Sequence, residues 1–224
     1  MPYAHSEYLI EPAALADDID SKNRRIYDAT VFLSPSRSKG SPPNSGRIAY
    51  EGGHIPGAMF LDQIEAASDI KTGLGFSLPP VNQLEELFRK VGINGNSKVA
   101  LYSTGNMMWA TRAWWLLHYC GHKNVQVLNG GFAAWKGIGL PISTDNAIYP
   151  TGSFQARERP ALFSHKQTVL KAISNADVRV VNSLSPEAHA GLTDLPYARK
   201  GRIANSVNVY YDELLHEGYF KKGP

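Results

Sequence analysis

Among 224 residues the chain has one cysteine, Cys120. A disulfide framework within the chain is therefore excluded, and a reducing compartment, the cytoplasm, is the expected setting. The seven histidines fall at no metal-ligand spacing, so no metal site is expected. Charge of one sign is also lacking. A net charge of +3, spread along the chain, gives no clustered basic face, and no nucleic-acid partner is expected. No apolar run reaches the roughly 18–20 residues of a membrane span, because Arg112 interrupts the most apolar region. The N-terminal "MPYAHSEYLIEP" carries Glu7 and Glu11 without a long apolar core, which does not fit a secretory signal. "LNGG" is not the G-x-G-x-x-G of a dinucleotide site, and no cofactor is expected.

What is present is an alternation of strands and helices. "RRIYDATVFL" (24–33) is rich in β-branched and aromatic residues and reads as a strand. "KVALY" (98–102) and "VQVLNGG" (125–131) are two more, the latter ending in a tight turn. "VNQLEELFRKVGI" sets Leu84, Leu87, Phe88 and Val91 at helical spacing, with Gly92 as the stop. Further helices are expected near 13–19, over 110–119 with Trp114, Leu117 and Cys120 inward, and in "FAAWKGIGLP". "SPSRSKGSPPNSG" (34–46) has no apolar face and reads as a loop. The pattern predicts an α/β fold whose parallel sheet is covered on both faces. The polar, proline-broken stretch 146–160 reads as a linker between a first domain, 1–145, and a second, 161–224, that starts with a helix in "HKQTVLKAISNA" and a strand in "DVRVVNSL".

Two blocks resemble each other. "RIYDATVFLSP" followed by "GHIPGAMFLDQI" (53–64) matches "RVVNSLSPEAH" followed by "GRIANSVNVYYDEL" (201–214). The shared order of strand, loop, Gly-x-Ile turn, short strand and acidic residue predicts a tandem duplication. After Asp62 the first copy continues through two more strands. After Asp212 there are twelve residues, so the second copy is expected to be incomplete, completed by a missing segment or by a partner.

The chemistry should lie in "VALYSTGNMMWATRAWWLL" (99–117): a strand, a small polar loop, then a helix. Such a loop can turn backbone amides toward an anion at a helix N-terminus. The nucleophile position is Ser103, and the candidate anion loop is Ser103, Thr104, Gly105, Asn106, Met107 and Met108. A serine hydrolase would want a Gly-x-Ser-x-Gly elbow and a positioned histidine, and "LYSTG" lacks the first glycine.

"EGGHIPGAMFLDQIEAASD", "LYSTGNMMWATRAWWLLHYCGHKNVQVLNGGFAAW" and the opening "YAHSEYLI" resemble the tandem rhodanese-type sulfurtransferases, which act on thiosulfate or 3-mercaptopyruvate. The resemblance is strong over 53–135 and weaker after 151. It implies a rhodanese-like open parallel sheet with helices on both faces, in tandem, the second copy incomplete. It implies a small sulfur-containing anion as donor and a thiol or cyanide as acceptor. In the family a cysteine after the central strand of the second domain carries sulfur as a persulfide, while the first domain has another residue in that slot. Ser103 in the slot fits a silent first domain, because a hydroxyl without a base cannot hold and release a sulfane sulfur as a thiolate does. No catalytic residue is therefore assigned within this chain. The resemblance also exposes departures. The family's Asp-x-Arg is Asn182-Ser183-Leu184 here, a substrate arginine is replaced at Ala188, and the histidine of the Gly-His-Ile turn is Arg202. Arg199 remains as an anion contact.

Three readings follow. The chain is the silent first part of a sulfurtransferase; or it is an inactive rhodanese-like binding module; or it runs other chemistry on a similar unit, such as a phosphatase, which would also need a loop cysteine. His54 is expected to anchor its turn, with a minor substrate role as the alternative. Arg112 is expected to bond loop carbonyls. Met107, Met108 and Trp109 are expected at the loop tip, facing the second domain. Cys120 ends the helix after the loop, roughly 15 Å from that helix's start, and is expected to pack in the core.

Overall fold

The computed structural model describes residues 3–33, 43–193 and 199–222. Residues 34–42, most of the loop expected at 34–46, lie outside the described residues. Contacts divide the chain into two compact units. Unit 1 holds residues 1–32, 43–159 and 217–224; unit 2 holds 33–42 and 160–216.

Unit 1 is built from β1 (Leu9–Ile10), α1 (Pro12–Asp17), β2 (Arg24–Asp28), β3 (Val31–Phe32), β4 (Asn44–Ser45), α2 (Arg47–Gly52), β5 (Ala58–Phe60), α3 (Val81–Lys90), β6 (Lys98–Tyr102), α4 (Met108–Tyr119), β7 (Val125–Leu128) and α5 (Gly131–Gly137). The five-stranded sheet has the order β1-β7-β6-β2-β5, and its pairs are all parallel. Its strands are buried on both faces, which is why they read as apolar runs. Ile26, Ala58, Ala100, Tyr102 and Leu128 point into one cluster with Ile10, Leu15, Phe132 and Trp135. Tyr27 points the other way, and its hydroxyl donates to the Val91 carbonyl at 2.7 Å, just past α3.

Two expectations change. The strand expected over 24–33 ends at Asp28 and resumes at β3, which pairs antiparallel with β4. The break follows from Asp28, whose Oδ1 accepts the amide of Thr30 at 2.9 Å and turns the chain. On α4 Trp109, Ala110, Ala113, Leu116, Leu117 and Tyr119 are buried, as is Cys120 at its end, while Trp114, expected inward with Leu117 and Cys120, is half-buried with its indole N–H on the Val125 carbonyl. The stretch read as a linker runs along unit 1. Phe154 is buried against Phe88 and His122, and Gly152 N–H donates to the Arg89 carbonyl at 2.8 Å.

Unit 2 holds α6 (Lys166–Ala172), β8 (Val181–Asn182), α7 (Pro186–Ala190) and β9 (Val207–Asn208), with β8 and β9 parallel. It repeats unit 1 bond by bond. The Leu15 N–H to Glu11 carbonyl bond that opens α1 recurs as Val169 to His165 in α6. Leu61 to Asp28 recurs as Val209 to Asn182, and Ala58 to Ile55 as Ser206 to Ile203. Gly57, at φ +76°, is matched by Asn205 at +60°, one of the few residues besides glycine that accept this conformation readily. The side chains do not close over this pair as they do in unit 1. Val181, in the place of the fully buried Tyr27, is 52% exposed.

Candidate functional site

The loop stands where β6 ends, in the middle of the sheet, between β7 and β2. The Ser103 hydroxyl does not face outward. Ser103 is buried, and its Oγ donates to the Asn106 carbonyl at 2.8 Å, across its own loop. Among the described residues no imidazole or carboxylate hydrogen-bonds this hydroxyl, so it has no base to activate it. Two of the loop's amides are engaged as well. Thr104 N–H donates to Thr30 Oγ1 at 2.8 Å, and Met108 N–H to Asn106 Oδ1 at 2.9 Å, an Asx turn that starts α4.

Gly105, at φ +82°, is the exposed tip. Met107 and Trp109, expected there, are instead buried: α4 begins at Met108, and winding into its first turn carries them inward. Trp109 lies on Phe76 at 4.6 Å between ring centres. Met108 is half-exposed. The start of α5 closes on the loop from the side. Gly131, at φ +58°, comes so close that a Cβ would lie 2.6 Å from the Ser103 carbonyl and 3.0 Å from Met107 Sδ.

The sequence gives no sign of Thr30. It lies on the adjacent strand's exit, 74 positions before Thr104. Its Oγ1 accepts the loop amide and donates its own proton to Asp28 Oδ1. Asp28 is buried, and burial outweighs these bonds to hold its carboxyl above the usual carboxylate range. Only the β2–β6 pairing shows this arrangement.

Arg112 turns away from the slot. Its guanidinium donates to Gln63 Oε1 (2.7 Å), the Ala67 carbonyl (2.8 Å), Ser68 Oγ (3.2 Å) and the Phe76 carbonyl (3.1 Å). Burial lowers it to about 10, so it stays charged at neutral pH. His54 is buried with Nδ1 2.8 Å from the Tyr50 carbonyl and Nε2 2.9 Å from the Asp145 carbonyl, and its ring stacks on Tyr50. Cys120 is buried at the end of α4, and burial first, then Glu158 and Glu85, push its thiol up to about 12. In unit 2, Arg199 is exposed, and Ala188 is buried under the N-cap Ser185. The loss of the acidic residue at Asn182 is partial: Asn182 Oδ1 accepts the Leu184 amide at 2.9 Å, as Asp28 does for Thr30. Among the described residues no group of three or more His, Cys, Asp or Glu is placed to hold a metal, and no helix is long and apolar enough to cross a membrane.

The rhodanese-like domain profile matches residues 11–138. The 3-mercaptopyruvate sulfurtransferase of Escherichia coli K12 is 32% identical over 209 residues, covering 92% of this chain and 72% of the relative. The thiosulfate sulfurtransferase of Rattus norvegicus is 28% identical, covering 96% and 73%. The crystal structure of the E. coli 3-mercaptopyruvate enzyme, titled for its rhodanese fold, superposes with a TM-score of 0.82 at 30% identity, over 96% of this chain and 79% of that one. A parallel sheet in that order, a loop at the end of its central strand and a second partial copy of the same unit agree with these matches: the chain belongs to the rhodanese-type sulfurtransferase family.

Proposed function

We propose that the protein serves sulfur transfer from thiosulfate or 3-mercaptopyruvate to a thiol or cyanide, with unit 1 as its silent domain. The observation that carries this is the Ser103 hydroxyl turned into its own loop. A hydroxyl so placed neither attacks a sulfane sulfur nor holds one. Cys120, buried and kept protonated, is not a substitute. The sulfur carrier in this reading is a cysteine that completes the unit 2 repeat, in the position that Ser103 holds in unit 1. The matched relatives are longer than this chain, which supports that assignment.

The test is a thiosulfate:cyanide and a 3-mercaptopyruvate assay on the 224-residue chain, beside the transcript read past the codon for Pro224. No thiocyanate above the buffer rate, with a frame that continues into an apolar strand and a Cys loop, is the expected result. Turnover by the 224-residue chain alone would overturn it. Ser103→Cys should restore little, because the new thiol would be buried and bonded to the Asn106 carbonyl. The second reading, a binding module without sulfur chemistry, is favoured by the departures at Ala188 and Arg202. A stop codon after Pro224 would select it.

A further inference from the structure

The last residues of unit 1 before unit 2 begins at Pro160 form a strap on the end of α4. Arg157 N–H donates to the Cys120 carbonyl at 2.8 Å, and Arg159 N–H to the Tyr119 carbonyl at 2.9 Å. These are carbonyls that a helix end leaves without a partner of its own. Between them, the Glu158 carboxylate accepts the Tyr119 hydroxyl. The fit is close: a Cβ on Gly121 would lie 2.8 Å from the Arg157 carbonyl.

One bond of this strap fixes a protonation state. The Arg159 guanidinium donates from Nη1 to His118 Nε2 at 2.6 Å. A guanidinium has no lone pair to offer, so Nε2 must be the acceptor and the ring is neutral, with its proton on Nδ1. Nδ1 is buried with no hydrogen-bond partner among the described residues. The ring stacks on Trp114 at 4.7 Å and meets the edge of Tyr8 at 6.1 Å. The other charged and titratable groups around it are Lys123 just past the helix, Glu158 on the strap, and His5 and Glu7, which pair with each other beside Tyr8. Among the described residues no carboxylate forms an ion pair with His118. Burial first, then the Arg159 and Lys123 charges, hold its pKa below the usual histidine value. The last turn of a helix favours a cation, and here Arg159 supplies it in place of the imidazole.

We propose that His118 and Arg159 form a pH-dependent latch, in which the neutral imidazole holds the end of the strap on α4 and the protonated imidazole releases it. Protonation at Nε2 sets one N–H donor against another, with two cations at hydrogen-bond distance and no lone pair between them. The bond is lost and residues 157–159 loosen, so the connection into unit 2 is docked at neutral pH and free in acid. The sign follows from linkage. The released ring takes its proton near the ordinary value of about 6.5 and the docked ring takes it lower, so the latch weakens as pH falls below about 6.5. The latch uses no group of the Ser103 loop and does not depend on the sulfur-transfer reading.

The experiment is NMR on the 224-residue chain, read at the His118 ring and at the amides of Arg157 and Arg159. The ring should titrate below about 6.5 in the wild type and at a higher pH in Arg159→Gln. Arg159 is exposed, so this variant leaves the fold intact. The hydrogen-exchange protection factors of the two amides, which already correct for the intrinsic effect of pH, should fall several-fold between pH 7.5 and pH 5. In His118→Gln, which keeps an acceptor oxygen and does not titrate, they should stay flat over the same range. Protection that does not change with pH in the wild type would overturn the proposal, as would a His118 titration that ignores Arg159→Gln. A fall of the same size in His118→Gln would also overturn it, and would assign the effect to Glu158, the other titratable contact of the strap.

Discussion

At the scale of single residues, Asp28 is the group whose environment makes the sharpest prediction. Burial raises its carboxyl in the folded state, so the fold binds this proton more readily than the unfolded chain does. Its contribution therefore favours the fold at low pH and declines as pH rises from about 4 through the raised folded value. Asp28→Asn should abolish this dependence. It should keep the turn, because Asn182 makes the same 2.9 Å bond in unit 2. Urea unfolding of both proteins should show the variant gaining on the wild type between pH 4 and pH 7, by about 1.4 kcal/mol for each unit of pKa elevation. Cys120 gives a second check. With its thiol near 12 and its side chain buried, iodoacetamide at pH 7.5 should label it negligibly in the native protein and stoichiometrically in urea.

At the scale of elements, Arg112 ties α4 to the long connection between β5 and α3. Its four acceptors are two carbonyls, a hydroxyl and an amide oxygen, with no carboxylate among them. Removing the guanidinium strands several of these groups, each costing about 1–3 kcal/mol when buried and unpaired. Arg112→Ala should lower stability by about 3 kcal/mol, seen as a fall in the urea midpoint. Arg112→Lys should recover less than half, since one ammonium cannot span the fork. The sequence shows Arg112 as the charge that interrupts an apolar helix. It does not show the acceptors, which lie 36 to 49 positions earlier. Gly131 is a parallel case. A Cβ there meets the Ser103 carbonyl, and its left-handed backbone disfavours a side chain, so Gly131→Ala should cost at least about 2 kcal/mol and loosen the loop.

At the scale of the whole molecule, the two copies differ in how far their strands are covered. In unit 1, β2 lies between two strands and under side chains on both faces. In unit 2, Val181 and Val207 of the strand pair remain substantially exposed. Local stability follows buried contact, so native-state hydrogen exchange should show the β2 and β6 amides protected to the limit of global unfolding. The amides of β8 and β9 should exchange at least a hundredfold faster. Equal protection in the two units would contradict the incomplete core of the second.

The sequence by itself determined the fold class, the repeat and the residue in the nucleophile slot. These are carried by local patterns: apolar strand runs, helical spacing, and the turn that positions Ser103. It also showed that the chain has one thiol, and placed that thiol a helix length from the loop. Tertiary structure alone decided what the loop does with its own polar groups. Thr30, Asp28 and Gly131 come to it from the end of β2 and the start of α5, and contact across long separations has no local signature. The same holds for the polar stretch 146–160. Its composition reads as a linker, yet Phe154 and Tyr149 find places against unit 1, because a few side chains at the right spacing suffice to dock a segment that as a whole is polar.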